Sequence, residues 1–365
     1  MLKKFASLLV NYCINASSGD EVRISATYEA MPLVRELWSE LIKKNAYPHL
    51  NLIDEVLDEI FYRYSSDELL KHISKIDKFM YENVDATISI ISSTHTKHLV
   101  NTDPEKIRIR SQALRVLNEI FIRRDSDGSL RWTATIFPTK ALAQEAGMSL
   151  MTYEDFIYRA LKLYEDDVVN AWVKQTEYQA KVVNLLEKVN ELRFLGNDVD
   201  LIMRVDGRKW INDDGKKNMP GGEVYTAPIE DSVEGYILFS YPAIWRGVEV
   251  EGVKLVFKRG VVVESSATRG EQFLKKIINV DEGSKRVGEI AFGLNYGISN
   301  FTKQILLDEK MGGTIHLALG SAYSTTGGIN KSAIHWDLIK DMRSSKVFAD
   351  GDLIYLDGRF LSDVI

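Results

Sequence analysis

The chain has 365 residues, of which 45% are hydrophobic and 27% are charged, and its formal net charge is -6. This composition is typical of a packed globular protein and excludes a disordered or fibrous chain, while the length predicts two domains. Acidic and basic residues are interleaved along the sequence, so no basic stripe indicates a nucleic-acid partner. The single cysteine, Cys13, excludes an internal disulfide and a cysteine-rich zinc site, and it indicates a reducing compartment.

The N-terminal segment predicts an amphipathic helix rather than a signal peptide. Asn11 and Asn15 interrupt its apolar run, and no small-residue cleavage site follows. Apolar residues recur at helical spacing and would share one face: Leu2, Phe5, Leu8, Leu9 and Tyr12. No stretch approaches the ~20 apolar residues that are needed to span a bilayer. We therefore expect a cytoplasmic protein with no membrane partner.

Residues 20–150 alternate short apolar runs with segments of helical periodicity. Strands are predicted at residues 21–25, 49–53, 86–91 and 131–137, and helices at residues 31–44 and 114–123. The run at residues 86–91 is uncharged and rich in β-branched residues, which favours a strand buried on both faces. This alternation predicts an α/β fold, with an N-terminal three-layer α/β domain and a mostly parallel sheet.

The pattern changes in the second half of the chain. Residues 153–195 are rich in Glu, Lys, Leu and Val, which predicts a long helical connector. Strand-like runs separated by glycine turns follow, at residues 200–205, 234–240, 254–257 and 261–264. These runs predict a β-rich α+β domain with antiparallel strands. We therefore assign residues 1–195 to the N-terminal domain and residues 196–365 to the C-terminal domain.

Two polar residues near the C-terminus, His335 and Asp337, are separated by one apolar residue. Residues i and i+2 of a strand point to the same side, so these two side chains would share one face. The apolar neighbours would face the other way: Ile334, Trp336 and Leu338. Two interpretations stay open for this pair, a metal or catalytic site and a solvent-exposed strand face.

Three further polar residues lie in apolar or glycine-rich segments. His316 precedes Gly320 in an apolar strand, and alone it would indicate a hydrogen-bonded core histidine. Glu289 also interrupts an apolar segment, where an unpaired charge is costly to bury. Glu223 follows the loop Met219-Pro220-Gly221-Gly222, and alone it would indicate an exposed turn. A bound divalent cation would satisfy all three side chains.

This mixture of carboxylates and two histidines, without thiols, suits Zn, Co, Mn or Mg. The candidate ligands outnumber those of one open tetrahedral site, which favours two divalent metal ions. Paired metal ions of this kind are used for hydrolysis. The second domain is therefore predicted to be the catalytic, metal-binding domain.

The order of these motifs resembles the thermophilic metallo-aminopeptidase family, the aminopeptidase T and aminopeptidase S type of dinuclear metallopeptidases. The resemblance covers nearly the whole chain, including the run from Trp132 to Met151, and its most specific motifs lie in the C-terminal half. It implies six metal ligands: Glu223, Glu289, Glu309, His316, His335 and Asp337. It also places Tyr323 beside the scissile carbonyl. The chain departs from the family pattern after Glu309, where Lys310-Met311-Gly312-Gly313 replaces a more common Asn-Ala-Ala sequence.

The resemblance implies an enzyme that removes N-terminal residues from peptides and forms a homodimer. Glu289 would accept a proton from the attacking water, and Tyr323 would donate a hydrogen bond to the oxyanion. Two alternatives are a mononuclear iron oxygenase that uses His316 and His335, and a non-catalytic peptide-binding protein on the same fold. Scarce glutamine beside abundant lysine and glutamate indicates a thermophilic source.

Overall fold

The structure, a computed structural model, describes residues 1–245 and 247–365. It divides into two compact units. Unit 1 comprises Met1–Val169 with Gly215–Met219, and unit 2 comprises Asn170–Asp214 with Pro220–Ile365. The chain passes from unit 1 to unit 2 at residue 170. The domain boundary near residue 195 stays a prediction.

Unit 1 contains a five-stranded sheet in which every pair of neighbouring strands is parallel. Its strands are β1 (Glu21–Thr27), β2 (Tyr47–Ile53), β3 (Ala86–Ile91), β4 (Arg131–Ile136) and, from later in the chain, β8 (Asn218–Met219). The order across the sheet is β2-β1-β3-β4-β8. The predicted parallel sheet and all four strands that the sequence placed in it are confirmed.

The helices of unit 1 begin at polar caps in most cases. Side chains of Asp54, Ser66, Ser74, Asp103, Thr139 and Ser149 accept hydrogen bonds from backbone N–H groups of the first turn. The helices are α1 (Leu2–Ser7), α2 (Met31–Lys43), α3 (Glu55–Tyr64), α4 (Asp67–Lys71), α5 (Lys75–Asn83), α6 (Pro104–Ala113), α7 (Arg115–Ser126), α8 (Lys140–Glu145) and α9 (Leu150–Ala160). A π-helix, Leu8–Cys13, continues α1 and buries its apolar side chains.

The prediction of one helical region over residues 153–195 is wrong. Helix α9 ends at Ala160, and Lys162 adopts a left-handed φ of 58° that stops it. Helix α10 (Val168–Leu186) follows, and residues 191–196 form a strand. That strand pairs with residues 199–204, which follow it directly, and with a partner near residue 347. The second contact is one that local composition does not reveal.

Unit 2 is built from two larger antiparallel sheets and a small two-stranded one. Its strands are β5 (Glu191–Gly196), β6 (Val199–Arg204), β7 (Ile211–Asp213), β9 (Glu223–Thr226), β10 (Glu234–Leu238), β11 (Ala243–Trp245), β12 (Val248–Val250), β13 (Lys254–Lys258), β14 (Val261–Ser266), β15 (Val287–Gly293), β16 (Thr314–Gly320), β17 (His335–Asp341), β18 (Lys346–Ala349), β19 (Asp352–Leu356) and β20 (Arg359–Phe360). The eight-stranded sheet has the order β14-β13-β10-β6-β5-β18-β19-β20, and the five-stranded sheet has the order β17-β16-β15-β9-β7. Two short helices complete the unit: α11 (Glu271–Ile277) and α12 (Ile305–Asp308).

One face of the five-stranded sheet belongs to the hydrophobic core of unit 2. On β16, Ile315, Leu317 and Leu319 join this core together with residues of the eight-stranded sheet and α10. Phe292 of β15 is fully buried, and its ring lies 5.0 Å from the ring of Phe360. Because strand side chains alternate, the residues between these apolar ones face the opposite side of the sheet.

No helix among the described residues is both long enough and apolar enough to cross a membrane.

Candidate metal centre

The polar face of the five-stranded sheet brings together residues from four strands. Glu223 begins β9, Glu289 lies on β15, His316 on β16, and His335 and Asp337 on β17. The predicted alternation on β17 is confirmed, because Trp336 and Leu338 point into the core. On this face Ala318 lies opposite both Glu289 and Asp337, so a small side chain leaves room for the carboxylates to converge.

A β-bulge decides which face Glu289 occupies. Val287 pairs with Leu319 while Glu289 pairs with Ala318, so Gly288 is an extra residue on β15. In a regular strand, Val287 and Glu289 would point to the same face, and the bulge instead turns Glu289 to the polar face. A Cβ atom on Gly288 would lie 2.3 Å from the carbonyl oxygen of Gly320, so only glycine fits at this bulge.

Glu289 lies between the two histidines. Its Oε1 is 3.0 Å from Nε2 of His316, and its Oε2 is 3.7 Å from Nε2 of His335. The two histidines each have a second carboxylate nearby. His316 Nε2 is 3.7 Å from Oε2 of Glu223, and His335 Nε2 is 3.6 Å from Oδ1 of Asp337. One carboxylate therefore connects two groups of potential metal ligands.

Main-chain carbonyls hold both imidazoles in this orientation. His316 donates from Nδ1 to the carbonyl oxygen of Glu309 over 3.1 Å, and His335 donates from Nδ1 to that of Ser321 over 2.7 Å. A carbonyl only accepts, so each Nδ1 carries a hydrogen and each Nε2 faces the carboxylates. Hydrogen bonds of this kind orient metal-binding histidines.

The innermost three residues are almost completely buried: Glu223, Glu289 and His316 are 5%, 4% and 1% exposed. Oε2 of Glu223 and Oε2 of Glu289 have no hydrogen-bond partner among the described residues, which is costly for buried carboxylates. One ligand atom from each of the three residues lies within 4.8 Å of the others. These residues fit a divalent cation, which would supply the missing partners.

The structure places the Glu309 side chain differently from the other predicted ligands. Its carboxylate forms an ion pair with Lys310, the next residue, whose side chain is fully buried. Lys310 Nζ also lies 3.4 Å from Oε1 of Glu223 and 3.7 Å from Oδ2 of Asp213. The sequence did not predict Lys310 or Asp213 as members of the site, because charged runs such as Asp308-Glu309-Lys310 are typical of solvent-exposed turns.

Tyr323 lies where the centre opens to solvent. It is 50% exposed, and its ring centroid lies 5.1 Å from that of His335 and 5.8 Å from that of Tyr225. Burial of the hydroxyl and the carboxylates around it raise the pKa of Tyr323, so the hydroxyl keeps its hydrogen at neutral pH. It is therefore a hydrogen-bond donor at the accessible edge of the centre.

A cavity of about 280 Å³ adjoins the same edge. His335 and Asp337 line it on one side, and much of the remaining wall is apolar, including Ile244, Trp245 and Phe301. An apolar group bound in this cavity would therefore contact the polar side chains of β17.

Comparisons with known proteins identify the family to which the chain belongs. The model of the family described as thermophilic metalloprotease (M29) matches residues 1–360. Aminopeptidase T of Thermus aquaticus is 28% identical over 394 residues, which cover 96% of this chain and 94% of the relative. Aminopeptidase 2 of Geobacillus stearothermophilus is 26% identical over 397 residues, with the same two coverages.

The fold is shared with a solved structure, wild-type AmpT from Thermus thermophilus, with a TM-score of 0.85 and 24% identity. That likeness covers 99% of this chain and 98% of the other. The chain belongs to the M29 family of metalloproteases, and its enzyme class is that of the metallo-aminopeptidases, which are hydrolases. This class differs from both alternatives that the sequence left open, the iron oxygenase and the non-catalytic binding protein.

The charges around His316 predict that metal binding releases a proton. Burial lowers the pKa of His316, but the hydrogen bond to Glu289 and the surrounding carboxylates outweigh this effect and raise the pKa to about 10. An ordinary histidine has a pKa of 6.5, so between pH 6.5 and about pH 10 the raised pKa keeps His316 protonated in the metal-free protein. A histidine that binds a metal ion must be neutral. Calorimetric titration with zinc, in buffers of different ionisation enthalpy, should therefore show proton release.

The same titration has a matched control in His49→Gln, which removes a histidine from unit 1 and should leave the proton release unchanged. His316→Gln should reduce it. A heat of binding that is independent of the buffer would contradict the protonation of His316.

Proposed function

We propose that this metallo-aminopeptidase hydrolyses peptides with a free N-terminus at a centre formed by Glu223, Glu289, His316, His335 and Asp337. The observation that carries the proposal is the position of Glu289, which presents one oxygen to each histidine. A carboxylate in this position is suited to bridge two cations. The substrates are peptides, as the names of the relatives indicate for those proteins.

The two groups of ligands define two metal positions in this proposal. Glu223 and His316 would hold one cation, His335 and Asp337 would hold the other, and Glu289 would contribute to both. Bound divalent cations such as Zn, Co, Mn or Mg supply Lewis acidity and lower the pKa of water towards neutrality. Once His316 has released its proton, the carbonyl-bound imidazoles and the paired carboxylates match the donor preferences of these ions.

In this proposal we assign Glu289 to the cations rather than to proton transfer. Both of its oxygens face histidine nitrogens, so neither is directed towards a water molecule outside the ligand set. Its predicted role as the proton acceptor therefore gives way to a role as a bridging ligand. Tyr323 keeps its predicted role in this proposal, since half of the residue is exposed and its raised pKa keeps the hydroxyl protonated. It would donate a hydrogen bond to the oxyanion that forms from the scissile carbonyl.

Substrate would approach from the edge that Tyr323 and His335 share, because Glu223, Glu289 and His316 are buried. The cavity beside His335 and Asp337 accommodates an apolar side chain against Trp245 and Phe301. A peptide whose N-terminal side chain occupies this cavity has its α-amine close to the carboxylates of the centre. Their negative charge favours a free amine over an acylated one.

The proposed function makes the enzyme dependent on both metal and a free α-amine. Treatment with EDTA should abolish cleavage of leucyl-p-nitroanilide, and zinc, cobalt or manganese should restore it, because metal ions supply the Lewis acid. The N-acetylated substrate should not be cleaved by the reconstituted enzyme. Full activity in a metal-free sample, or equal rates on the two substrates, would contradict the proposal.

His335→Ala and Tyr323→Phe should fail in different ways. The first removes a ligand, so metal content should fall together with activity. The second removes only a hydroxyl, so metal content should stay at the wild-type level while turnover falls by about 10²–10³-fold, the usual loss for one oxyanion donor. Tyr225→Phe, which deletes a hydroxyl from the adjacent ring, is the matched control and should have a much smaller effect.

These variants are compared by elemental analysis and by turnover measured on the same samples. Unchanged turnover in Tyr323→Phe would show that Tyr323 is only a packing residue. Metal loss in Tyr323→Phe would show instead that the tyrosine is a ligand.

The homodimer, the cytoplasmic location and the thermophilic source stay predictions from the sequence. A light-scattering mass equal to one 41.5 kDa chain would contradict the homodimer.

A further inference from the structure

Lys310 is a completely buried lysine inside the candidate metal centre. Its side chain has no solvent exposure, and its Nζ contacts the carboxylates of Glu309, Glu223 and Asp213. Burying an ammonium group is costly unless it is paired and hydrogen-bonded. A cation built into the chain therefore faces the same cluster of carboxylates that faces the proposed metal ions.

The two oxygens of Glu223 face different cations. Oε1 lies 3.4 Å from Lys310 Nζ, whereas Oε2 lies 3.7 Å from His316 Nε2 and has no hydrogen-bond partner among the described residues. A carboxylate is planar, so holding one oxygen restricts where the other can point. The contact with Lys310 therefore directs Oε2 of Glu223 towards the metal position beside His316.

Glu309 acts on the centre through its main chain. Its carbonyl oxygen accepts the hydrogen bond from Nδ1 of His316, while its carboxylate pairs with Lys310. The side chain of Glu309 is therefore occupied by an internal cation.

We propose that Lys310 is a positioning residue of the metal centre, which takes the Glu309 carboxylate as its own counter-ion and holds Glu223 so that only Oε2 reaches the metal. The inference rests on the proposed function, because it assigns ligands within the same centre. It reduces the ligand set to five residues, and it replaces the metal-binding role that the sequence predicted for Glu309. The sequence motif that departs from the family pattern, beginning at Lys310, is then the feature that changes the coordination.

The first test is the metal content of full-length variants after reconstitution with zinc and dialysis. Glu309→Gln keeps an oxygen that accepts from Lys310, so it should retain the zinc content of the wild type. His335→Ala, a ligand variant, should lose zinc in the same experiment. Loss of zinc from Glu309→Gln would overturn the inference. So would a drop in its zinc affinity of about tenfold or more, which is the size of effect seen when a residue that supports a metal ligand is mutated.

The second test measures the melting temperature of the metal-free protein. Lys310→Met leaves buried carboxylates without their cation, so it should lower the melting temperature. Adding Glu309→Gln to Lys310→Met should raise the melting temperature again, because both partners of the pair are then removed. Zinc should raise the melting temperature of Lys310→Met by more than it raises that of the wild type. A double variant no more stable than Lys310→Met would overturn the pairing.

Lys340→Met is the matched control for the second test. Lys340 is also buried and pairs with Asp198 over 2.6 Å, but it lies on β17 at a position that alternates away from the metal-binding face. Its loss should lower the melting temperature without enlarging the shift caused by zinc. An equal enlargement in both lysine variants would contradict a specific role for Lys310.

The outcome for the wild type separates this inference from the function on which it rests. A reconstituted wild-type chain without zinc and without aminopeptidase activity contradicts the proposed function, and this inference with it. A wild type that binds zinc and cleaves peptides, compared with a Glu309→Gln variant that loses zinc, overturns only the assignment of Lys310 and Glu309.

Discussion

Carboxylates that are buried close together repel one another and lose the hydration that stabilises their charge. In unit 2, Glu223 and Glu289 are in this situation, with the partly buried Asp337 beside them, and both glutamates have an oxygen without a hydrogen-bond partner among the described residues. Such an arrangement persists only if cations or protons neutralise the charge. In the metal-free protein the proton on His316 and the ammonium of Lys310 meet part of this requirement, and the metal ions of the proposed function would meet the rest. Both the chemistry and the stability of this region follow from the same electrostatic constraint.

The five-stranded sheet makes this concentration of charge possible because its two faces have opposite chemistry. Ile315, Leu317 and Leu319 anchor one face in the core, while His316 extends from the other. The core therefore holds the backbone of the metal-binding strands rigid without contributing any polar atom to the site. Catalytic centres need ligands held on rigid elements, and here the sheet supplies that rigidity.

The sequence was most informative where side-chain periodicity and local chemistry agreed. His335 and Asp337 were predicted on one strand face because apolar residues alternate with them, and the structure places them there. The parallel order of the first sheet also followed from the alternation of strands and helices. In both cases the deciding information lies within a few neighbouring residues.

Features that depend on distant partners could not be predicted in this way. The strand at Glu191–Gly196 was taken for the end of a helix, and one of its two pairing partners, near residue 347, lies far along the chain. Lys310 was recognised as a departure from the family pattern. Its burial, however, depends on Asp213 and Glu223, which lie on β7 and β9, far from it in the sequence. The face occupied by Glu289 depends on a bulge, which shifts the periodicity on which the sequence argument relies.

Both imidazoles of the centre are held by main-chain oxygens, those of Glu309 and Ser321. Every amino acid carries a carbonyl oxygen, so a substitution at either position can alter charge and size without removing the hydrogen bond to the ring. The hydrogen bond to the ring of His316 therefore places no requirement on the side chain at residue 309. A protein built this way can change the role of the acid at that position while its histidines stay in place.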